Sequence, residues 1–86
     1  MYLHIGQGYV LRHSEILGIF DMDNATYSHR TRETLNRAEK EGKVINAAEF
    51  EIPNSFLLCK EDNDTKIYLS MVTAQTLLRR VQDHIL

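Results

Sequence analysis

The feature that most constrains the fold is a Gly-x-Gly segment between two short apolar stretches near the start of the chain. Residues 2–5 and 9–12 are rich in aromatic and branched side chains, which is typical of strands. Gly6 and Gly8 suit a tight connection that needs positive φ. The segment lacks the third glycine, the following helix and the P-loop lysine of a phosphate-binding loop. The pattern therefore predicts two short strands joined by a structural turn.

The remaining pattern alternates short strands with two helical segments. Gly42 is placed to end the first helix, and Thr73 is the candidate N-cap of the second. Tyr27, Leu35 and Ala38 belong to a narrow apolar stripe on the first helix. Further strands are expected at 16–20, 55–60 and 66–70, and a short strand or extended segment at 44–50. A loop is expected at 21–24, a polar hairpin loop at 61–64, and helices at 26–41 and 74–84. The order β-β-β-α-β-β-β-α predicts an α+β domain with a small antiparallel or mixed sheet and two helices.

Length and composition limit the chain to one domain, residues 1–86, with one modest core. A single cysteine excludes an internal disulfide, and Cys59 lies in an apolar run where burial and low reactivity are expected. Small domains are often marginally stable alone, so a homo-oligomer is expected. The apolar stretches are far shorter than the roughly 20 residues that span a bilayer. No leader is apparent, and a cytoplasmic location is expected.

No pattern in the chain predicts catalysis, a metal or a cofactor. The four histidines lack metal-ligand spacing, and one cysteine provides no thiolate pair. The clustered acids lie in expected loops without an evident catalytic partner. The serines lie in no nucleophile-elbow motif. The chain is therefore not expected to be an enzyme.

The basic residues are the candidates for a nucleic-acid contact. Ten Lys and Arg against twelve Asp and Glu give a net charge of −2, so a monomer is a poor general DNA binder. Much of the positive charge on the first helix has acids at i±4. Arg12 and His13 lie at the end of a strand, where no acid is expected to neutralise them in this way. They are therefore the better DNA-binding candidates. Arg30 and Arg32 on the first helix are weaker candidates.

The opening Tyr-Leu-His-Ile-Gly and the strand Ile-Leu-Gly-Ile-Phe-Asp resemble the extracellular-matrix regulators RemA and RemB. The resemblance spans nearly the whole chain and is closer to RemB. It implies a small sheet flanked by helices, similar to LytTR-type DNA-binding domains, and assembly into rings. It also implies control of extracellular-matrix (biofilm) gene expression. His4 matches the family's own histidine, and packing or a subunit contact is its expected role.

One departure from the resemblance leaves two hypotheses. Where the DNA-binding RemA branch carries arginines, this chain has Glu15, Glu51 and Ile52. The first hypothesis is a RemB-type regulator whose ring-like oligomer binds double-stranded DNA weakly and multivalently. The alternative is an oligomeric interaction or scaffold module that binds other regulatory proteins and no DNA.

Overall fold

The Gly-x-Gly segment forms a tight antiparallel hairpin in the computed structural model, which describes residues 1–25 and 28–85. Strand β1 (Tyr2–Gly6) pairs with β2 (Tyr9–Arg12). Gly6, Gln7 and Gly8 have φ of 108°, 53° and 80°. The turn thus needs three consecutive positive φ values, which explains its glycines. The hairpin forms a two-stranded sheet of its own, whereas the sequence pattern predicted a single sheet.

The other strands form a four-stranded mixed sheet in the order β3-β5-β6-β4. Strand β4 is parallel to β6, and the remaining pairs are antiparallel. Asp62 and Asn63 have φ of 49° and 69°. They form a two-residue turn, tighter than the expected loop, because Glu61 and Asp64 already pair as strand residues. The strands are β3 (Ile16–Asp21), β4 (Val44–Asn46), β5 (Ser55–Glu61) and β6 (Asp64–Ser70).

The described residues contain three helices, α1 (Met22–Ala25), α2 (His29–Lys40) and α3 (Ala74–Ile85), one more than predicted. The extra single turn, α1, replaces an expected loop because Asp21 Oδ1 accepts the Asp23 amide at 2.9 Å. Helix α2 begins at His29 instead of residue 26, because Ser28 caps it. Thr26 and Tyr27, which the prediction placed on this helix, lie outside the described residues.

Two further expectations had different outcomes. Thr73 caps α3 as predicted, with its Oγ1 accepting the Thr76 amide at 3.3 Å. The strand expected at 44–50 stops at Asn46, whose side-chain Oδ1 accepts the Ala48 amide at 3.0 Å and turns the chain. The α+β class and the overall element order are confirmed, apart from α1.

The sheet has two differently covered faces. The hairpin face is covered by β1, β2 and α3, and its core includes Leu3, Ile5, Leu57, Cys59 and Leu77. All five side chains are essentially inaccessible to solvent, so the expected burial of Cys59 is confirmed. The opposite face of the sheet is covered by α2 and is called the α2 face. No described residue of α2 is buried. None of the described helices is long and apolar enough to cross a membrane.

Residues near the end of the chain hold the hairpin in place. The buried Ser70 hydroxyl donates to the Ile5 carbonyl at 2.7 Å and accepts the Val72 amide at 3.0 Å. Arg80 Nη1 donates to the His4 carbonyl at 3.0 Å. The His4 side chain itself is exposed. These hydrogen bonds satisfy carbonyls of β1 without adding β1 to the larger sheet.

Candidate nucleic-acid interface

Arg12 lies at the end of β2, and 65% of its side chain is exposed. A 3-10 turn at His13–Glu15 follows and brings Glu15 back toward it. Arg12 Nε lies 3.7 Å from Glu15 Oε1. The expectation that Arg12 lacks a local acidic neighbour is therefore wrong. Exposed ion pairs are weak, typically below about 1 kcal/mol, so the guanidinium stays accessible but partly neutralised.

The surroundings of Arg12 are acidic beyond this pair. One surface depression is lined by Arg12, Ser14, Glu15, Glu61 and Asp62, where carboxylates outnumber the guanidinium. A phosphate approaching Arg12 there would meet like charge as well as opposite charge. The site as arranged favours a weak anion contact at most.

A buried hydroxyl fixes one of these carboxylates. The Tyr68 hydroxyl donates to Glu61 Oε1 at 2.7 Å, and Lys66 Nζ lies 3.4 Å from Glu61 Oε2. Burial, followed by this hydrogen bond to Glu61, raises the pKa of Tyr68 above its ordinary value. Tyr68 therefore stays a protonated donor across the physiological range. Glu61 is held as an acceptor beside Arg12 instead of turning away from it.

His13 is positioned by its backbone. Its amide donates to the Met1 carbonyl at 3.0 Å, which fixes the chain where β2 ends. The side chain is half-buried and lines a second depression with Leu17, Leu78 and Val81, between β3 and α3. His13 therefore lies beside apolar neighbours on the β3–α3 side.

Arg30 and Arg32 lie in the first turns of α2, and both are exposed. Thr31 between them is half-buried. The carboxylate of Glu33 lies 2.8 Å from His29 Nε2, and that of Glu41 lies 3.3 Å from Lys43 Nζ. Glu33 and Glu41 therefore contact His29 and Lys43, and not Arg37, which the sequence suggested as their i±4 partner. Among the described residues, Arg30 makes no ion pair.

Arg30 also borders a groove between α2 and the sheet. The groove has a volume of about 220 Å³ and a mostly apolar lining that includes Phe20, Phe56 and Leu58. The rings of Phe20 and Phe56 stack with centroids 5.0 Å apart. A Cβ on Gly18 would lie 2.7 Å from the Phe20 ring, so the ring packs closely against the backbone at this glycine.

The four candidate residues do not form one patch. Arg12 ends the second strand of the hairpin and His13 follows it, whereas Arg30 and Arg32 lie on α2 against the other face of the sheet. A single subunit therefore presents two separate basic positions.

A protruding apolar tip was not predicted from the sequence. Phe50 and Ile52 are 101% and 85% exposed, on the segment between β4 and β5. The apolar run at residues 44–50 suggested a strand, but in the structure the chain turns after Asn46, where the strand ends. The signal that could have revealed the tip is the acidic residue on either side of Phe50, Glu49 and Glu51, which is atypical of a buried strand.

Among the described residues, no group of three or more metal-ligating side chains lies close enough together to hold a metal ion.

The family model described as "RemA-like: Extracellular matrix regulatory protein A-like" matches residues 2–81. No curated protein matches the chain.

Proposed function

Because the chain belongs to the RemA-like family of extracellular matrix regulatory proteins, we propose that it is a non-catalytic, RemB-type regulator of extracellular-matrix (biofilm) gene expression. The observation that carries this proposal is the family match, which covers nearly the whole chain. The regulator acts in the cytoplasm as a ring-like homo-oligomer, and its target is double-stranded DNA.

Multivalency supplies the affinity that one subunit lacks. The net charge of −2 and the carboxylates around Arg12 make single-site binding weak. Copies linked in a ring convert later contacts into intramolecular ones, which raises avidity without new contacts.

A second candidate is an oligomeric module that binds other regulatory proteins and no DNA. The arrangement around Arg12 favours it, because Glu15 contacts the guanidinium that DNA would need. The exposed tip favours it as well. Phe50 and Ile52 have the apolar character that protein partners use and that phosphates do not.

The two candidates are separated by DNA binding measured at two salt concentrations alongside molar mass. We expect a matrix-gene promoter fragment to shift at low salt and to be released at higher salt, with light scattering showing more than two subunits. An oligomer that binds no DNA even at low salt, where electrostatics are strongest, would establish the second candidate. A monomer at tens of micromolar would overturn both.

Point variants test the proposed DNA contacts. Arg12→Ala, and more weakly Arg30→Ala and Arg32→Ala, should reduce affinity and lower the magnitude of the salt slope by about one unit for each phosphate that is no longer bound. Glu15→Gln should strengthen binding, because it removes the carboxylate 3.7 Å from Arg12. Lys60→Ala, an exposed cation on β5, is the matched control. Unchanged affinity in Arg12→Ala would remove Arg12 from the site.

A further inference from the structure

The groove between α2 and the sheet has room for a small ligand. Its volume is about 220 Å³. A protein cavity of roughly 150 Å³ accommodates benzene, whereas drug-sized ligands occupy pockets of roughly 300–1,000 Å³. Phe20 on the wall of the groove is 40% exposed, so the groove is open to solvent. An occupant of this groove is therefore about the size of one substituted aromatic ring.

The walls of the groove favour an aromatic occupant. Phe20 and Phe56 both line it, and their rings stack with an interplanar angle of 20°. Leu35, Leu58 and Ile67 add aliphatic surface to the lining. A ring placed against these side chains buries apolar area and gains contacts with the two phenylalanine rings.

Arg30 gives one end of the groove a positive charge. It is the only charged residue that lines the groove in the described part of the chain, and it makes no ion pair there. It is also the second residue of α2, whose first turn contains no acidic residue. The guanidinium and the positive end of the helix dipole therefore both favour an anion at this end of the groove.

We propose that the groove binds a small aromatic carboxylate, with its ring against Phe20 and Phe56 and its carboxylate on the Arg30 guanidinium. The apolar walls hold the ring, and the charge of Arg30 selects an acid over a neutral or cationic molecule of the same size. The Thr34 hydroxyl donates to the Arg30 carbonyl at 2.9 Å, so its proton is already used within the helix. Arg30 therefore provides the polar contact that orients the ligand.

A ligand at this site regulates DNA binding, and this part of the inference rests on the proposed function. Arg30 is one of the proposed phosphate contacts, so the carboxylate of a ligand and a DNA phosphate compete for the same guanidinium. The ligand therefore lowers the affinity for DNA, and DNA lowers the affinity for the ligand by the same factor. Arg12 does not line the groove and keeps its own contact, so DNA binding is weakened and not abolished.

The first experiment detects the ligand without DNA, by NMR titration of isotope-labelled wild-type protein with phenylacetate. The methyl resonances of Leu58 and Ile67 should shift and saturate at millimolar concentrations, whereas those of Leu57 on the hairpin face should not move. Phenethylamine, a cation with the same ring, should cause much smaller shifts at equal concentration. Equal shifts with the two probes would overturn the assignment of a carboxylate. The absence of saturable shifts with phenylacetate would overturn the site.

Two pairs of variants test the charge and the space separately. Arg30→Ala should weaken phenylacetate binding at least about five-fold, because it removes a charge-assisted contact. Arg37→Ala, which removes an exposed cation of α2 outside the groove, should bind as the wild type does. Thr34→Trp, which fills the groove, should abolish binding, whereas Thr34→Ala should retain it. Thr34 is exposed, so circular dichroism should show the wild-type fold in both. Unchanged binding in Arg30→Ala would contradict the contact with Arg30.

The last experiment measures the coupling to DNA. Saturating sodium phenylacetate should raise the dissociation constant for the promoter fragment at least about five-fold relative to the same concentration of sodium acetate, which matches the ionic strength but lacks the ring. Arg30→Ala should respond equally to the two salts. An equal response of the wild type would overturn the coupling and leave the ligand site intact. A wild type that binds phenylacetate but no DNA would overturn the proposed DNA binding and the coupling, and would still establish the ligand site.

Discussion

The two faces of the four-stranded sheet are built from the same strands but are covered in different ways. On the hairpin face, Leu57 packs against the hairpin and α3 and is completely inaccessible, as are Ile5 and Leu77. On the α2 face, Leu58 is half-buried and Phe20 remains 40% exposed. A groove remains between the helix and the strands there.

The difference follows from the two helices. Helix α3 directs Leu77 into the core and places Val81 against it, whereas the only apolar residues of α2 are Leu35 and Ala38. A helix with so few apolar residues leaves a groove beside the sheet, although Phe56 and Ile67 at its base are buried. The comparison indicates that the hairpin face supplies most of the stability, while the α2 face retains a surface that can accept a partner.

The largest expected effect is on the hairpin face. Leu57→Ala should lower the free energy of unfolding by about 2–5 kcal/mol, because it leaves a cavity among fully buried neighbours. Leu35→Ala, on the α2 face, should cost about 1 kcal/mol, since Leu35 is only half-buried. Urea unfolding monitored by circular dichroism measures both. Equal losses in the two variants would contradict the proposed division between the faces.

Cys59 reports on the hairpin face without a mutation. Burial, followed by the nearby charges of Glu61 and Glu15, raises the pKa of the Cys59 thiol to about 12. Labelling by a thiol reagent at pH 8 should therefore be at least about 100-fold slower in the native protein than in urea, because the thiolate is the reactive form.

The same shift predicts a dependence of stability on pH. The folded state favours the protonated thiol, so this contribution is present in full below the ordinary value of 9.0. It should decrease as the pH rises from there toward about 12. Cys59→Ala should remove the thiol's share of that decrease. Rapid native labelling would mean that β5 has the opposite register.

The smallest effect is expected where α2 joins the sheet. Lys43 Nζ lies 3.2 Å from Asp64 Oδ1 and 3.3 Å from Glu41 Oε2, and so links the end of α2 to β6. The hydrogen bond from Lys43, followed by that from the Thr65 amide, lowers the pKa of Asp64. The stabilisation is present above the ordinary value of 3.8 and is lost as the pH falls through the folded value.

Asp64→Asn should therefore lower the urea midpoint only slightly at pH 7, because the pair is exposed to solvent. The difference from the wild type should disappear at acidic pH, and also in about 1 M salt, where screening is strong. A large effect that persists in high salt would show that Asp64 acts through the turn and not through Lys43.

The strands and α3 could be predicted from sequence because their patterns are local. The separate hairpin sheet could not, since it depends on Leu3 and Ile5 finding Leu57 across the chain. The pair between Arg12 and Glu15 was within reach, because the two residues are three apart, but a 3-10 turn had to be foreseen to expect it.

The candidate site was less predictable because it, too, depends on contacts between residues that are distant in the sequence. The sequence identifies Arg30 as a basic residue on a helix, but only packing places it beside Phe56 and a groove. The exposed tip at Phe50 could not be predicted because the apolar composition of this segment suggests a strand. The structure shows instead that the chain turns after Asn46. Whether a side chain is exposed depends on neighbours that are distant in the sequence, which a local pattern does not include.

The hydrogen bond from Ser70 to Ile5 has a consequence for how the chain is made. It joins residues 65 positions apart, and that from Arg80 to His4 joins residues 76 apart. During translation, β1 is synthesised long before the residues that cover it, so Leu3 and Ile5 remain without their native cover until α3 has emerged. The hairpin face is then completed only after α3 has been synthesised, and a product terminated before α3 would expose an apolar hairpin to aggregation and proteolysis.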